Sequence, residues 1–367
     1  MPAWADANYT KRMEIAVQTA YLDANVASFP LLAKLTNTQA IANADIASKR
    51  YDFYDHNGNR LAFEQESYSE GASYANFECW VGVPDLYASP SGDQNKVWLY
   101  YGYDYGADRD QPTAVWDSDH KGVYHMGEAS GNLLDSTANG HNSTSVNGTP
   151  DYQQAGPVNF AVNFTPASEE YFAFGDVNDW DFGTGAMTVE SSINTSTTDY
   201  MAIVAKNNAG FNPCWIQTVA QWPRVYMNAA ERGASATTVS SGTWRRVGFT
   251  RAADGTLTHY VDGVGAANGS YNSDISTDGA GYIGSWGPGY AAYCFNGRIA
   301  EVRICAGARS AAWLKFEYRN MAEADNELTW GSEELLPSGH PTVKRFGGIP
   351  FTHRMGGAQG VQGVHIW

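Results

Sequence analysis

"VYHMGEASGNLLDSTANG", Val123–Gly140, begins as a strand and ends as a polar, Gly- and Asn-rich turn. It holds His125, Glu128 and Asp135, so the same residues suit an active site, a metal site, or the first strand and turn of a β domain. The residues beyond Gly140 favour the third reading. Strand-like runs recur there as "VNFAVNF", "EYFAFG", "AMTVESSIN", "YMAIVAK", "CWIQTVA", "RVYMNA", "WRRVGFTRA", "LTHYVDGV", "GYIGS" and "GRIAEVRIC". Turn pairs Asp254-Gly255, Asp262-Gly263 and Asn296-Gly297 stand between them. Short strands with turn signals at such intervals predict a sandwich or jelly roll. If this stretch opens such a domain, His125 and Glu128 are structural residues of its first strand. Only "SAAWLKFEYRNMAEA", Ser310 to Ala324, reads as a helix, with Ser310 as N-cap and Trp313, Phe316 and Met321 as its apolar side.

Working back from Val123, residues 1–118 also read as β. "RMEIAVQTA" alternates apolar and polar residues, "FPLLAKL" is a short strand, and "NFECWVGVPDL" and "KVWLYYGYDYG" are two more. "YDFYDHNGNRLAFEQESY" places two strand-like runs around Asn57-Gly58, a hairpin signal. Forward of the helix, residues 326–367 change character: "TVKRFGGIPFTHRMGGAQGVQGVHIW" is Gly-rich and basic. The fold class is therefore all-β. It comprises an N-terminal β-sandwich (1–118), a jelly roll (119–325) and an extended tail (326–367). In the tail, Lys344, Arg345, Phe346, Phe351, Arg354 and Trp367 would dock on a neighbouring subunit by strand addition, or pack on the tail's own domain.

Composition narrows the partners. Of 367 residues, 43% are hydrophobic and 17% charged, and the formal charge is −16. That balance argues against nucleic acid, whose phosphates need a basic surface, and against anionic lipid. No run approaches the roughly 18 apolar residues of a membrane span. No secretory signal pattern is visible at the N-terminus, so the expectation is synthesis in a cytoplasm and release by lysis. The four cysteines (Cys79, Cys214, Cys294, Cys305) form no metal-binding spacing and read as buried thiols, with a Cys294–Cys305 disulfide as the alternative.

The N-terminal series "KRMEIAVQTA … FPLLAKL … YDFYDHNGNRLAFEQESY … CWVGVPDL … VWLYYGYDYG … AVWDSDHKGVYHMGE" resembles domain of unknown function 2341 over residues 1–128. The series "VYHMGEASGNLLDSTANGHNST", "AMTVESSIN", "TWRRVGFTR", "LTHYVDGV" and "FNGRIAEVRICAGARSAAWLKFEYRNM" resembles the concanavalin A-like jelly roll of the laminin G and pentraxin type. One departure is Ala300 before Glu301, where that family often carries Asp. "KRFGGIPFTHR … GVHIW" is similar to C-terminal segments of tailed-phage proteins. Together these resemblances imply a virion-surface protein, either a tail-fibre or receptor-binding appendage or a capsid decoration protein, working as a homo-oligomer with other virion proteins.

The candidate chemistry is binding. No nucleophile elbow, zinc-protease helix or phosphate loop is present. Glu64 and Glu66 have the period that puts two carboxylates on one strand face, as in glycoside hydrolases, but no longer carboxylate motif accompanies them. The expectation is a non-enzymatic protein; a polysaccharide depolymerase is the least favoured class. Asp176, Asp179 and Asp181 suit either Ca2+ or an ordinary turn. The resemblance implies one structural Ca2+ held by Asp135, Asn139 and Glu301. A cell-surface glycan would stack on aromatic residues at loop tips: Trp286, Tyr290 and Tyr293, with Trp215 and Trp222 as further candidates.

Overall fold

The computed structural model describes residues 3–35, 41–70, 76–103, 107–197, 201–207, 214–219, 222–228, 230–322, 327–337, 345–346 and 349–350. The fold is nearly all β, as the alternation of the strands requires.

Two sheets enclose the N-terminal core. One is Val26–Leu35, Asn76–Leu86 and Phe63–Ser69, all antiparallel. The other centres on Lys11–Val17 and Lys96–Tyr101, continuing through Asp52–Tyr54 and Arg60–Leu61. Met13, Ile15 and Val17 alternate inward from one sheet to meet Phe29, Leu31, Val81 and Val83 of the other. The hairpin expected at Asn57-Gly58 is present, with Gly58 in the left-handed region that the turn demands.

Past residue 326 the chain adds strands to the N-terminal sheet. Leu328–Trp330 and Glu334–Leu335 pair antiparallel with Lys11–Val17, so the chain returns to the N-terminal sheet before the tail begins. The physical reason is the otherwise open edge of Lys11–Val17, whose unpaired amides and carbonyls take up a strand. Arg12–Glu334 (2.7 Å) and Lys11–Glu333 (3.1 Å) ion pairs fix the register. Further on, Arg345–Phe346 pairs with Ile349–Pro350, while Lys344, Phe351, Arg354 and Trp367 lie outside the described residues.

The jelly roll has two large sheets. The eight-stranded sheet runs Asp151–Ala155, Phe160–Phe164, Gly297–Ala306, Met187–Thr195, Arg245–Arg251, Thr256–Val261 and Val264–Ser270; His120–Tyr124 also pairs with Gly297–Ala306. The Val123–Gly140 stretch is thus the end of the first strand of this domain and the turn after it. The seven-stranded sheet runs Ala230–Ala234, Trp222–Met227, Cys214–Val219, Met201–Asn207, Ala280–Ile283, Tyr171–Gly175 and Ser145–Asn147. Between the sheets lie Phe164, Phe172, Trp180, Val189, Ile203, Phe249, Ile299 and Ile304. Val264–Ser270 is a strand that its sequence does not announce: "VGAANGS" carries almost no apolar signal and is held at the sheet edge by pairing with Thr256–Val261.

The helix, Ala311–Ala322, is wedged between the two domains. Trp313 and Phe316 pack on Phe29, and Asn320 hydrogen-bonds both backbone groups of Leu32 (2.7 and 3.0 Å). On its other side Glu317 meets Arg246 and Arg303 of the eight-stranded sheet. The Asp262-Gly263 turn packs so closely beneath it that a Cβ at Gly263 would lie 2.7 Å from Lys315 Cα. Ser310 caps the helix, its Oγ accepting from Trp313 N at 3.1 Å. Ser310→Ala is expected to cost about 1 kcal/mol in urea unfolding. Cys79, Cys294 and Cys305 are buried free thiols, so Cys294 and Cys305 are not bridged. No helix among the described residues is long and apolar enough to cross a membrane.

Candidate functional site

The outer face of the seven-stranded sheet carries an aromatic surface. In Trp222–Met227, Val225 and Met227 point into the core, so Trp222, Arg224 and Tyr226 point outward. Outward-facing Ala202 and Ala205 leave room above the sheet, and Tyr226 and Trp286 pack over them. The loop bearing Trp286 is pressed onto the sheet at Gly287, where a Cβ would meet the Tyr282 ring at 2.8 Å. Asn207 Nδ2 donates to Trp286 O at 2.8 Å.

The structure brings Trp286, Tyr290 and Tyr293 together. Trp286 stacks on Tyr293 with centroids 4.3 Å apart and planes 2° from parallel. Tyr290 meets Trp286 edge-on at 5.7 Å, and Tyr226 lies at 6.1 Å. All four rings are half-buried. Trp222 stands farther along the same face, 36% exposed. Trp215 lies on the adjacent strand, with its side chain outside the described residues. Tyr226 and Tyr282 are additions to the set expected from sequence; the alternation of Trp222–Met227 carries the signal for Tyr226. The four rings form one cluster of apolar faces edged by tyrosine hydroxyls, which suits apolar C–H faces bordered by hydroxyls.

The residues expected to hold Ca2+ do not form one site. Asp135 is saturated by its own turn: it accepts from Val123 N, Thr137 N, Thr137 Oγ1 and His141 N at 2.8–3.0 Å. Asn139 turns its Nδ2 to His120 O and Thr137 Oγ1. Glu301 is held elsewhere, by His125 and Arg303. In the second acidic group, the buried ammonium of Lys206 sits against Asp176 (3.1 Å) and Asp181 (2.5 Å), where a metal ion would sit. Asp179 pairs with His141 instead.

A group that the sequence does not assemble lies between the domains. Glu64 and Glu66 come from the N-terminal sandwich, His125 follows the first jelly-roll strand, and Glu301 and Arg303 come from Gly297–Ala306. A bulge places Glu301 in the left-handed region (φ 50°) and turns it and Arg303 away from the core. His125 Nδ1 lies 2.8 Å from Glu301 Oε1 and 3.6 Å from Glu66 Oε2; its Nε2 lies 3.4 Å from Glu64 Oε2. Burial opposes charge on His125, but Glu301, Glu66 and Glu64 outweigh it and hold the imidazole protonated, well above its usual range. Burial lifts Glu66 to about 7 against the pull of His125, with Glu301 and Glu64 adding to the rise. Glu64 and Glu301 stay ionised despite burial because His125 lies beside them. Arg303 is clamped between the Trp80 and Trp116 rings at 4.5 and 4.8 Å. Of the two residues expected to be structural, His125 is central to this group, while Glu128 caps a loop at Leu134 N.

The two-sheet topology defines a jelly roll. Residues 166–315 match the family described as the concanavalin A-like lectin/glucanases superfamily. No curated protein matches the chain in sequence. Among solved structures, domain 4 of AbnA, an extracellular arabinanase from Geobacillus stearothermophilus solved with arabinotriose, is 18% identical with a TM-score of 0.43, covering 54% of this chain and 97% of that one. The binding domain of Paraclostridial Mosquitocidal Protein 1 is 13% identical with a TM-score of 0.42, covering 55% of this chain and 52% of that one. The binding domain of botulinum neurotoxin DC, solved with SialylT, is 12% identical with a TM-score of 0.41, covering 56% and 52%. The chain spans about half the length of these two toxin domains.

Proposed function

We propose that the jelly roll is a carbohydrate-binding domain that holds a glycan on the aromatic surface around Trp286, Tyr290, Tyr293 and Tyr226. The observation that carries this reading is which face is left open. The outer side of the eight-stranded sheet is covered by the helix and the N-terminal sandwich, whose Trp80 and Trp116 clamp Arg303. The outer side of the seven-stranded sheet instead carries half-buried aromatic rings and the exposed Trp222.

The proposed role is non-enzymatic. Glu66 and Glu301 are the carboxylates that approach each other most suggestively, and Glu301 is wholly buried, so no sugar ring reaches between them. The setting we propose is a tailed-phage particle, with the chain as a receptor-binding appendage. Support for that comes from the Arg345-Phe346-Gly-Gly segment of the sequence. The Arg345–Phe346 and Ile349–Pro350 pairing is an extended segment of the kind that docks by strand addition. A homo-oligomer would multiply weak sugar contacts into firm attachment.

The test is a broad glycan array on the full chain, followed by titration of the best ligand. Trp286→Ala is expected to weaken binding about tenfold, roughly 1.4 kcal/mol, as loss of one stacked ring implies. An array with no binding, or a Trp286→Ala chain that is folded and binds as before, would overturn the assignment.

A further inference from the structure

The group between the domains has the layout of a metal site. Three ligand atoms converge: His125 Nδ1, Glu301 Oε1 and Glu66 Oε2, all within 4.8 Å of one another. Two of the separations are 2.8 and 3.6 Å. Ligands bound to one ion at about 2.0–2.2 Å stand about 3–3.5 Å apart, so small movements suffice. The far atom of each ligand is already anchored. His125 Nε2 faces Glu64 Oε2, Glu301 Oε2 accepts from Arg303 Nη2 at 3.0 Å, and Glu66 Oε1 accepts from Asn159 Nδ2 at 3.3 Å. Metal-binding histidines are oriented in this way by a carboxylate on the second ring nitrogen.

Glu66 completes the set from the other domain. Its side chain is only 6% exposed, and its Oε2 points at His125 Nδ1 from 3.6 Å. That nitrogen is also engaged by Glu301, so two carboxylates share it. Glu64, Glu66 and Glu301 converge on His125, and of the three Glu301 alone is seen paired with Arg303, so carboxylates outnumber cations in the group.

We propose that Glu66, His125 and Glu301 bind one divalent first-row metal ion, Zn2+ or Mn2+, which ties the N-terminal sandwich to the jelly roll. The ion takes the place of the proton on His125 Nδ1, which leaves to solvent. One imidazole nitrogen and two carboxylate oxygens suit these ions; Ca2+ asks for six to eight oxygens. The ligands come from both domains, so the site exists only when they are docked.

The full chain, purified without chelator, is first measured for metal by mass spectrometry. It is then stripped with EDTA and titrated with Zn2+ and with Mn2+ in a calorimeter and a thermal-shift assay. A single high-affinity ion per chain that raises Tm is expected. Glu66→Gln keeps the shape and the His125–Glu301 pair, and should weaken that ion at least a hundredfold. Glu64→Gln, which leaves all three ligands in place, should weaken it about 10–100-fold. No ion above the background of surface histidines, or equal affinity in the wild type and Glu66→Gln, would overturn the proposal and leave the group as an ion-pair network.

Discussion

Arg303→Met is expected to destabilise the chain by about 3–5 kcal/mol, read from urea unfolding followed by tryptophan fluorescence. Arg303 is fully buried, and its guanidinium pairs with Glu301 and Glu317 while lying between two indoles. Methionine fills much of the volume but leaves both carboxylates short of a counter-charge in a site that water does not reach. Glu317 depends on this charge: burial disfavours its ionised form, and Arg246 with Arg303 holds it ionised all the same. Its neighbour Glu190 is pushed far above the carboxylate range by burial and by Glu317, so that pair carries a proton. Arg303→Met with Glu317→Met is expected to recover part of the loss, because an apolar pair costs less than a lone buried charge. If Arg303→Met alone costs under 1 kcal/mol, the domains are joined mainly by the helix packing on Phe29.

Glu66→Gln in chelator-treated protein is expected to remove a pH dependence at the same junction. In the unfolded chain this carboxyl ionises near 4.5, whereas in the folded chain burial raises it to about 7. A raised folded value means that the group's contribution is complete below about 4.5 and is lost as pH rises through about 7. Glutamine has no proton to lose. The two chains should therefore be similar in stability near pH 4.5, and the Gln variant should be more stable by about 3 kcal/mol at pH 8, since each pH unit is worth about 1.4 kcal/mol. Equal stability curves from pH 5 to 8 would show that Glu66 ionises freely. With Zn2+ or Mn2+ bound, the order at pH 8 reverses, because the ionised Glu66 then has its counter-charge.

The aromatic surface is partly legible in the sequence. Trp286, Tyr290 and Tyr293 are close in the chain, sit among Gly and Pro, and end in one cluster because a short loop cannot carry them apart. Tyr226 joins them from a strand 60 residues earlier in the chain (286 − 226 = 60), which spacing does not reveal. The Ca2+ set fails for the converse reason. Asp135 and Asn139 are neighbours in a turn that uses their polar atoms for its own backbone, and Glu301 belongs to a strand whose bulge aims it at His125.

By itself the sequence determined the all-β class, nearly every apolar strand and the helix Ala311–Ala322, because alternation, turn pairs and an N-cap act over a few residues. Its resemblance to the concanavalin A-like jelly roll also implied that "VYHMGEASGNLLDSTANG" opens that domain, where His120–Tyr124 pairs with Gly297–Ala306. Only the tertiary structure decided that the chain returns from the helix to pair with Lys11–Val17, and that the helix lies between the domains. It alone brought Glu66, His125 and Glu301 within reach of one another. Edge pairing, domain docking and the clustering of buried charges join residues far apart in the chain, and their energies depend on burial, which no local pattern of residues encodes.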